Sequence, residues 1–137
     1  MGEYEKMPRT INGYPVGETL LTFSFEDFSE RVIAQLTDDE RQGAVVYRAE
    51  SLVAAGTHLE LPGTRIDEDT DSYLGFIDRD PTANWGHEAR YVIMDVESGV
   101  LRSVNARLPP FRSGVNLIWR LVYRGPSVPE TAVERPS

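Results

Sequence analysis

Residues 78–87 of this 137-residue chain, DRDPTANWGH, bring Asp78, Asp80, Asn84, Trp85 and His87 into one short run. An imidazole close to carboxylates can do general acid–base chemistry: the carboxylate orients the ring, and the ring exchanges protons near neutral pH. In that reading His87 is the base, Asp78 or Asp80 its orienting partner, and Trp85 with Asn84 lines a ligand pocket. The same residues also have a purely structural reading. Asp80-Pro81 starts a turn, Asn84 closes an Asx turn, Trp85 plugs the end of a sheet, and His87 bonds a backbone carbonyl.

A second group capable of chemistry is a set of arginines inside strand-like runs. Arg90 alternates with Val92 and Met94, Arg102 with Val100 and Val104, and Arg120 with Ile118 and Val122. A guanidinium on an apolar face needs a carboxylate, a route to water or an anionic ligand. On neighbouring strands the three would line one cavity and grip an anion in bidentate fashion. Internal pairing with Glu50, Glu88 or Asp95 is the alternative.

Other chemistries have little to work with. There is no cysteine, so disulfides, thiolate metal sites and cysteine nucleophiles are excluded. His58 and His87 are the only histidines and share no zinc-ligand spacing. Asp67, Asp69, Asp71, Leu74 and Asp78 fall at five positions of a calcium loop. Ser72 stands where such a loop needs glycine, and its flanks read as strands, so no metal is expected. Neither a nucleophile elbow nor a phosphate-cradling glycine loop is present, and no cofactor is expected.

Charge narrows the partners. Residues 1–80 carry 17 acids and 7 bases, whereas residues 81–137 carry 5 acids and 7 bases. A net charge of −8 concentrated in the first part argues against nucleic acid, which requires a basic footprint. Thirteen of the 14 bases are arginine, the residue suited to forked carboxylate pairs. No apolar run is long enough to span a membrane, and no secretory signal is visible, so a cytoplasmic location is the default expectation.

The elements that must position these residues follow from periodicity. Residues 1–19 read as an irregular N-terminal arm with Pro8, Gly13, Pro15 and Gly17 as breakers, and 20–23 as a short strand. Ser24 with Asp27 forms an acidic capping box, Phe23 and Phe28 a hydrophobic staple, and Phe25, Phe28, Val32, Ile33 and Leu36 one apolar stripe. Thr37 with Glu40 predicts a second cap and one further turn, ended by Gly43. Beyond Gly43 the period becomes two. Strands are expected from Val45, around His58–Leu61, through Leu74, Phe76 and Asp78, over Ala89–Val96 and Val100–Leu108, and at Leu117–Arg124. Gly99 is expected in the left-handed conformation of a hairpin turn. The string from Tyr91 to Leu101 resembles the Tyr-Val-x-x-Asp-x-x-Thr-Gly-x-Val hairpin of protease propeptide domains over 11 residues. That likeness implies a bulged antiparallel hairpin and assigns no family.

Short connections after one long helix predict an α+β fold: one amphipathic helix packed on a curved antiparallel sheet of five to six strands. A β-barrel with a peripheral helix is the alternative. The single domain is expected over 20–124, followed by a disordered tail over 125–137. The leading functional expectation is a small acidic binding domain, an inhibitor- or immunity-like partner of a basic protein. The rival is a small cofactor-independent enzyme using the His87–aspartate pair on an anionic substrate. A subunit completing its sheet by oligomerisation is a third; the oligomeric state is not legible.

Overall fold

The computed structural model describes residues 10–11, 14–15, 22–83, 87–111 and 117–133. Two short strands, β1 (Thr10–Ile11) and β2 (Tyr14–Pro15), pair with each other. Then come α1 (Phe25–Ala34), α2 (Asp38–Gly43), β3 (Val45–Ala49), β4 (His58–Leu61), β5 (Thr64–Asp67), β6 (Ser72–Asp78), β7 (Ala89–Asp95), β8 (Leu101–Ala106) and β9 (Trp119–Arg124). Antiparallel strands in the order β8-β7-β6-β3-β9 form the main sheet, and β4-β5 forms a separate hairpin. This is the expected α+β architecture. The barrel alternative fails because β8 and β9 are open edges that do not meet.

Both helix starts form as their spacing predicts. The Ser24 hydroxyl accepts from Asp27 N–H at 3.0 Å while the Asp27 carboxylate accepts from Ser24 N–H at 2.9 Å. Thr37 and Glu40 repeat the reciprocal pair at 3.2 and 3.0 Å. Each box satisfies two amide groups that a helix start otherwise leaves without partners. The strand expected at 20–23 does not form at its described residues: Thr22 and Phe23 are irregular, and Phe23 N–H donates to Val96 O at 2.8 Å.

Strand alternation splits the core into two layers, one on each face of the sheet. Phe28, Val32 and Leu36 from the helical side pack on Val46, Tyr73, Ile77, Val92 and Met94. On the opposite face Tyr47, Leu74, Phe76, Tyr91 and Ile93 pack with Leu61 and Ile66 of the β4-β5 hairpin. A sheet covered on both sides needs apolar residues at consecutive positions, and every residue of β6 is buried.

Two glycines are demanded by their surroundings. Gly99 turns β7 into β8 with φ at 75°, and a Cβ there would sit 2.6 Å from the Phe23 ring. A Cβ at Gly125 would sit 2.3 Å from Gln42 O, and only glycine allows that approach.

Two further details differ from the sequence pattern. Period-two alternation over Leu117–Arg124 puts Leu117, Trp119, Leu121 and Tyr123 on one face, but a bulge where β9 passes Val46 and Tyr47 breaks that face. As a result Trp119 joins the hairpin-side core while Tyr123 packs on the helix side and donates its hydroxyl to Arg41 O. Residues 125–133 are placed rather than structureless. Gly125 N–H donates to Ala44 O at 2.8 Å, Val128 is buried, and Glu130–Ala132 makes a 3-10 turn.

Candidate functional site

The pleat sends neighbouring residues of the β6 end to opposite faces, creating two polar clusters. On the hairpin face Asp78 meets His87, with Nε2 to Oδ1 at 2.7 Å and both side chains only 8% exposed. Asp78 Oδ1 also accepts from Asp80 N–H at 3.0 Å. Burial pushes the Asp78 carboxyl above its ordinary range, and the Asp80 N–H and the nearby imidazole only partly offset it. His87 is tethered by its backbone as well, its N–H donating to Arg107 O at 2.7 Å.

On the helix face lies Glu40, the third residue of α2, with Arg79 and Arg90. Arg79 Nε approaches Glu40 Oε2 at 3.0 Å and Arg90 Nη2 approaches Oε1 at 3.1 Å, while Arg90 Nη1 bonds Oε2. Glu40 is 3% exposed, so two guanidiniums converge on one buried carboxylate. Burial alone would raise its pKa. The Arg90 hydrogen bond, the Thr37 N–H and the two positive charges outweigh burial, so the carboxyl titrates below its ordinary value. Arg79 also reaches exposed Glu88 at 2.7 Å.

A cleft of about 290 Å³ opens beside this second cluster, lined by Arg79, Glu88, Arg90, Asn105 and Arg107 among others. Across the end of β8 a second cleft, about 430 Å³, shares Asn105, Ala106 and Arg107 and continues along Pro62, Gly63 and Leu108. Neither His87 nor Asp78 lines either space.

The residues singled out from the sequence therefore separate. His87 and Asp78 do pair. Asp80 works locally: its carboxylate takes the Thr82 hydroxyl at 3.4 Å and its carbonyl accepts from Ala83 N–H at 3.0 Å. Asn84 and Trp85 lie outside the described residues. The three strand arginines do not share a cavity. Arg90 faces the helices, Arg102 sits opposite Ile93 on the other face and pairs with Glu68, and Arg120 is on β9 at the far edge, paired with Glu50. Of the carboxylates named for internal pairing, Glu50 takes Arg120 and Glu88 takes Arg79. Asp95 instead accepts the N–H groups of Glu97 and Ser98 in the hairpin turn.

The acids with calcium-loop spacing are scattered. Asp67 pairs with His58 and Arg65 at 2.6 and 2.8 Å, and Asp78 is on His87. Among the described residues no group of three or more His, Asp or Glu side chains could hold a metal.

No family model, curated protein or solved structure matches the chain. Its chemistry has to be read from its own residues. Glu40, Arg79, Asn105 and Arg107 are the participants that spacing did not expose. Arg79 lies within the 78–87 run, and the sequence shows Glu40 only as a cap. No described helix is long and apolar enough to cross a membrane.

Proposed function

We propose that the chain is a non-enzymatic binding domain that engages a basic protein through the outer surface of its helical layer. One observation carries this reading: the protein sorts its charges. Three of its arginines are engaged by carboxylates of their own chain, Arg90 by Glu40, Arg102 by Glu68 and Arg120 by Glu50. Exposed Glu26, Glu30, Asp38 and Asp39 on α1 and α2 have no cation within ion-pair distance among the described residues. Glu26 and Glu30 are one turn apart, on the side of α1 away from buried Phe28 and Val32, and Asp38 and Asp39 open the next helix. Such a field speeds encounter with a positive surface and selects against an acidic one.

The acid–base alternative has a well-formed His87–Asp78 pair, but that pair lines neither of the two clefts. A pair this buried is equally suited to tying the 78–87 connection to the sheet.

The test is binding to poly-L-arginine and poly-L-lysine across a salt series, with poly-L-glutamate as control. Binding is expected to weaken steadily as salt rises. The variant E26Q/E30Q/D38N/D39N is expected to lose most of it. Equal binding by that variant sinks the reading.

A further inference from the structure

The guanidinium cleft holds positive charge that the acidic-surface reading does not use. Its lining carries Arg79, Arg90 and Arg107 against Glu88, with Glu40 buried behind two of them. In a chain of net charge −8, this is a local concentration of cations. Glu40 accepts two N–H bonds from Arg90 and forms an ion pair with Arg79, and Glu88 accepts one N–H bond from Arg79. Each guanidinium has five N–H donors, so most remain available to something else in the cleft. Arg107 has no carboxylate within ion-pair distance among the described residues, and Asn105 adds an amide on the edge strand. Among the described lining residues Glu88 is the one carboxylate, and it is 75% exposed.

The second cleft supplies the complementary half. It begins at the same Asn105–Arg107 segment and runs along Pro62, Gly63 and the 44%-exposed Leu108. A cationic space and an apolar one that share the Asn105–Arg107 segment match a ligand with an anionic head and an apolar body.

We propose that these adjoining clefts bind a small molecule carrying a compact oxyanion, carboxylate or phosphoryl, on an apolar body. The oxyanion sits among Arg90, Arg107 and Asn105, where forked N–H donors fit its geometry. Glu40 acts as a positioning residue, holding Arg79 and Arg90 at the rim. The body lies against Pro62 and Leu108.

Titration calorimetry with 4-phenylbutyrate, phenyl phosphate, inorganic phosphate and the neutral 4-phenylbutanol tests this. Both amphipathic anions are expected to bind, inorganic phosphate more weakly, and the alcohol not measurably. The better of the two anions identifies the head group. Arg107→Ala removes a side chain with no described ion pair, so folding is expected to be unchanged. It should weaken the anions about tenfold, as for one charge-assisted hydrogen bond. Leu108→Ser should weaken the phenyl compounds and leave inorganic phosphate unaffected. The charge-neutral helix variant E26Q/E30Q/D38N/D39N should bind every probe as the parent does, which separates this proposal from the acidic-surface reading. Failure of both phenyl anions at millimolar concentration, or indifference to Arg107→Ala, overturns it.

Discussion

Asp78 and Arg79 are consecutive, yet one belongs to a closed polar pair and the other to an open cluster. Asp78 points to the hairpin face, where His87 meets it with both side chains 8% exposed. Arg79 joins Glu40 and Arg90 on the helix face, beside a cleft of about 290 Å³. Both sites bury a carboxylate, and the two environments act on it in opposite directions. At Asp78 desolvation dominates and the acid is pushed up. At Glu40 two guanidiniums and a helix-start N–H dominate and the acid is held down. The difference lies in the number of cationic partners, since arginine keeps its charge while histidine can lose it. A site that must stay ionised is built on arginine.

The largest effect that would break this comparison is expected at Glu40. Glu40→Ala strips two partly buried guanidiniums of their shared acceptor and removes one arm of the α2 capping box. The expected loss is about 3 kcal/mol, the scale for breaking a buried ion pair. It should appear as a lower urea midpoint at unchanged slope. Glu40→Gln keeps the cap and the shape and should lose less. If Glu40→Ala unfolds at the parent midpoint, the cluster is a surface ornament and the contrast disappears.

The next effect sharpens the comparison through its sign. Glu40 titrates below its ordinary value of 4.5, so its contribution is present above that pH and is lost as pH falls through the lowered value. Asp78 titrates above its ordinary value of 3.8, so stability is greatest below that pH and declines as pH rises through the raised value. Unfolding free energies of the parent, Glu40→Gln and Asp78→Asn, measured between about pH 3 and pH 6, should therefore diverge in opposite directions. With rising pH the parent should gain on Glu40→Gln and lose ground to Asp78→Asn. Parallel trends would mean that the two carboxyls share one environment.

How legible these sites were from sequence follows from the range of the interactions involved. The capping boxes at Ser24/Asp27 and Thr37/Glu40, and the turn at Gly99, involve residues within four positions, so spacing alone reveals them. The pair His87–Asp78 spans nine residues and closes one connection. Glu40 reaches Arg90 across 50 residues and Arg102 reaches Glu68 across 34, so neither can be read before the sheet order is known. That order misplaced Arg120 too, because β9 pairs with β3 instead of β8. The bulge in β9 is likewise a product of packing on both faces, and no residue pattern announces it. The prolines after Arg124 gave no sign that Val128 belongs to the hairpin-side core.

The smallest expected effect has the opposite sign and probes the closed face itself. Tyr91 is fully buried among Phe76, Leu74 and Ile93, and its hydroxyl has no hydrogen-bond partner among the described residues. Burial also pushes its phenol well above the ordinary tyrosine range, as expected for a group with no compensating charge. An unsatisfied buried hydroxyl costs about 1–3 kcal/mol, while the ring itself remains well packed against Phe76 at 5.1 Å between centroids. Tyr91→Phe removes the unsatisfied atom and preserves the ring. It should raise the unfolding free energy by about 1 kcal/mol, read as a higher urea midpoint at unchanged slope. A loss of stability would show that the hydroxyl is bonded in solution, and the hairpin face would then be less closed than its contacts imply.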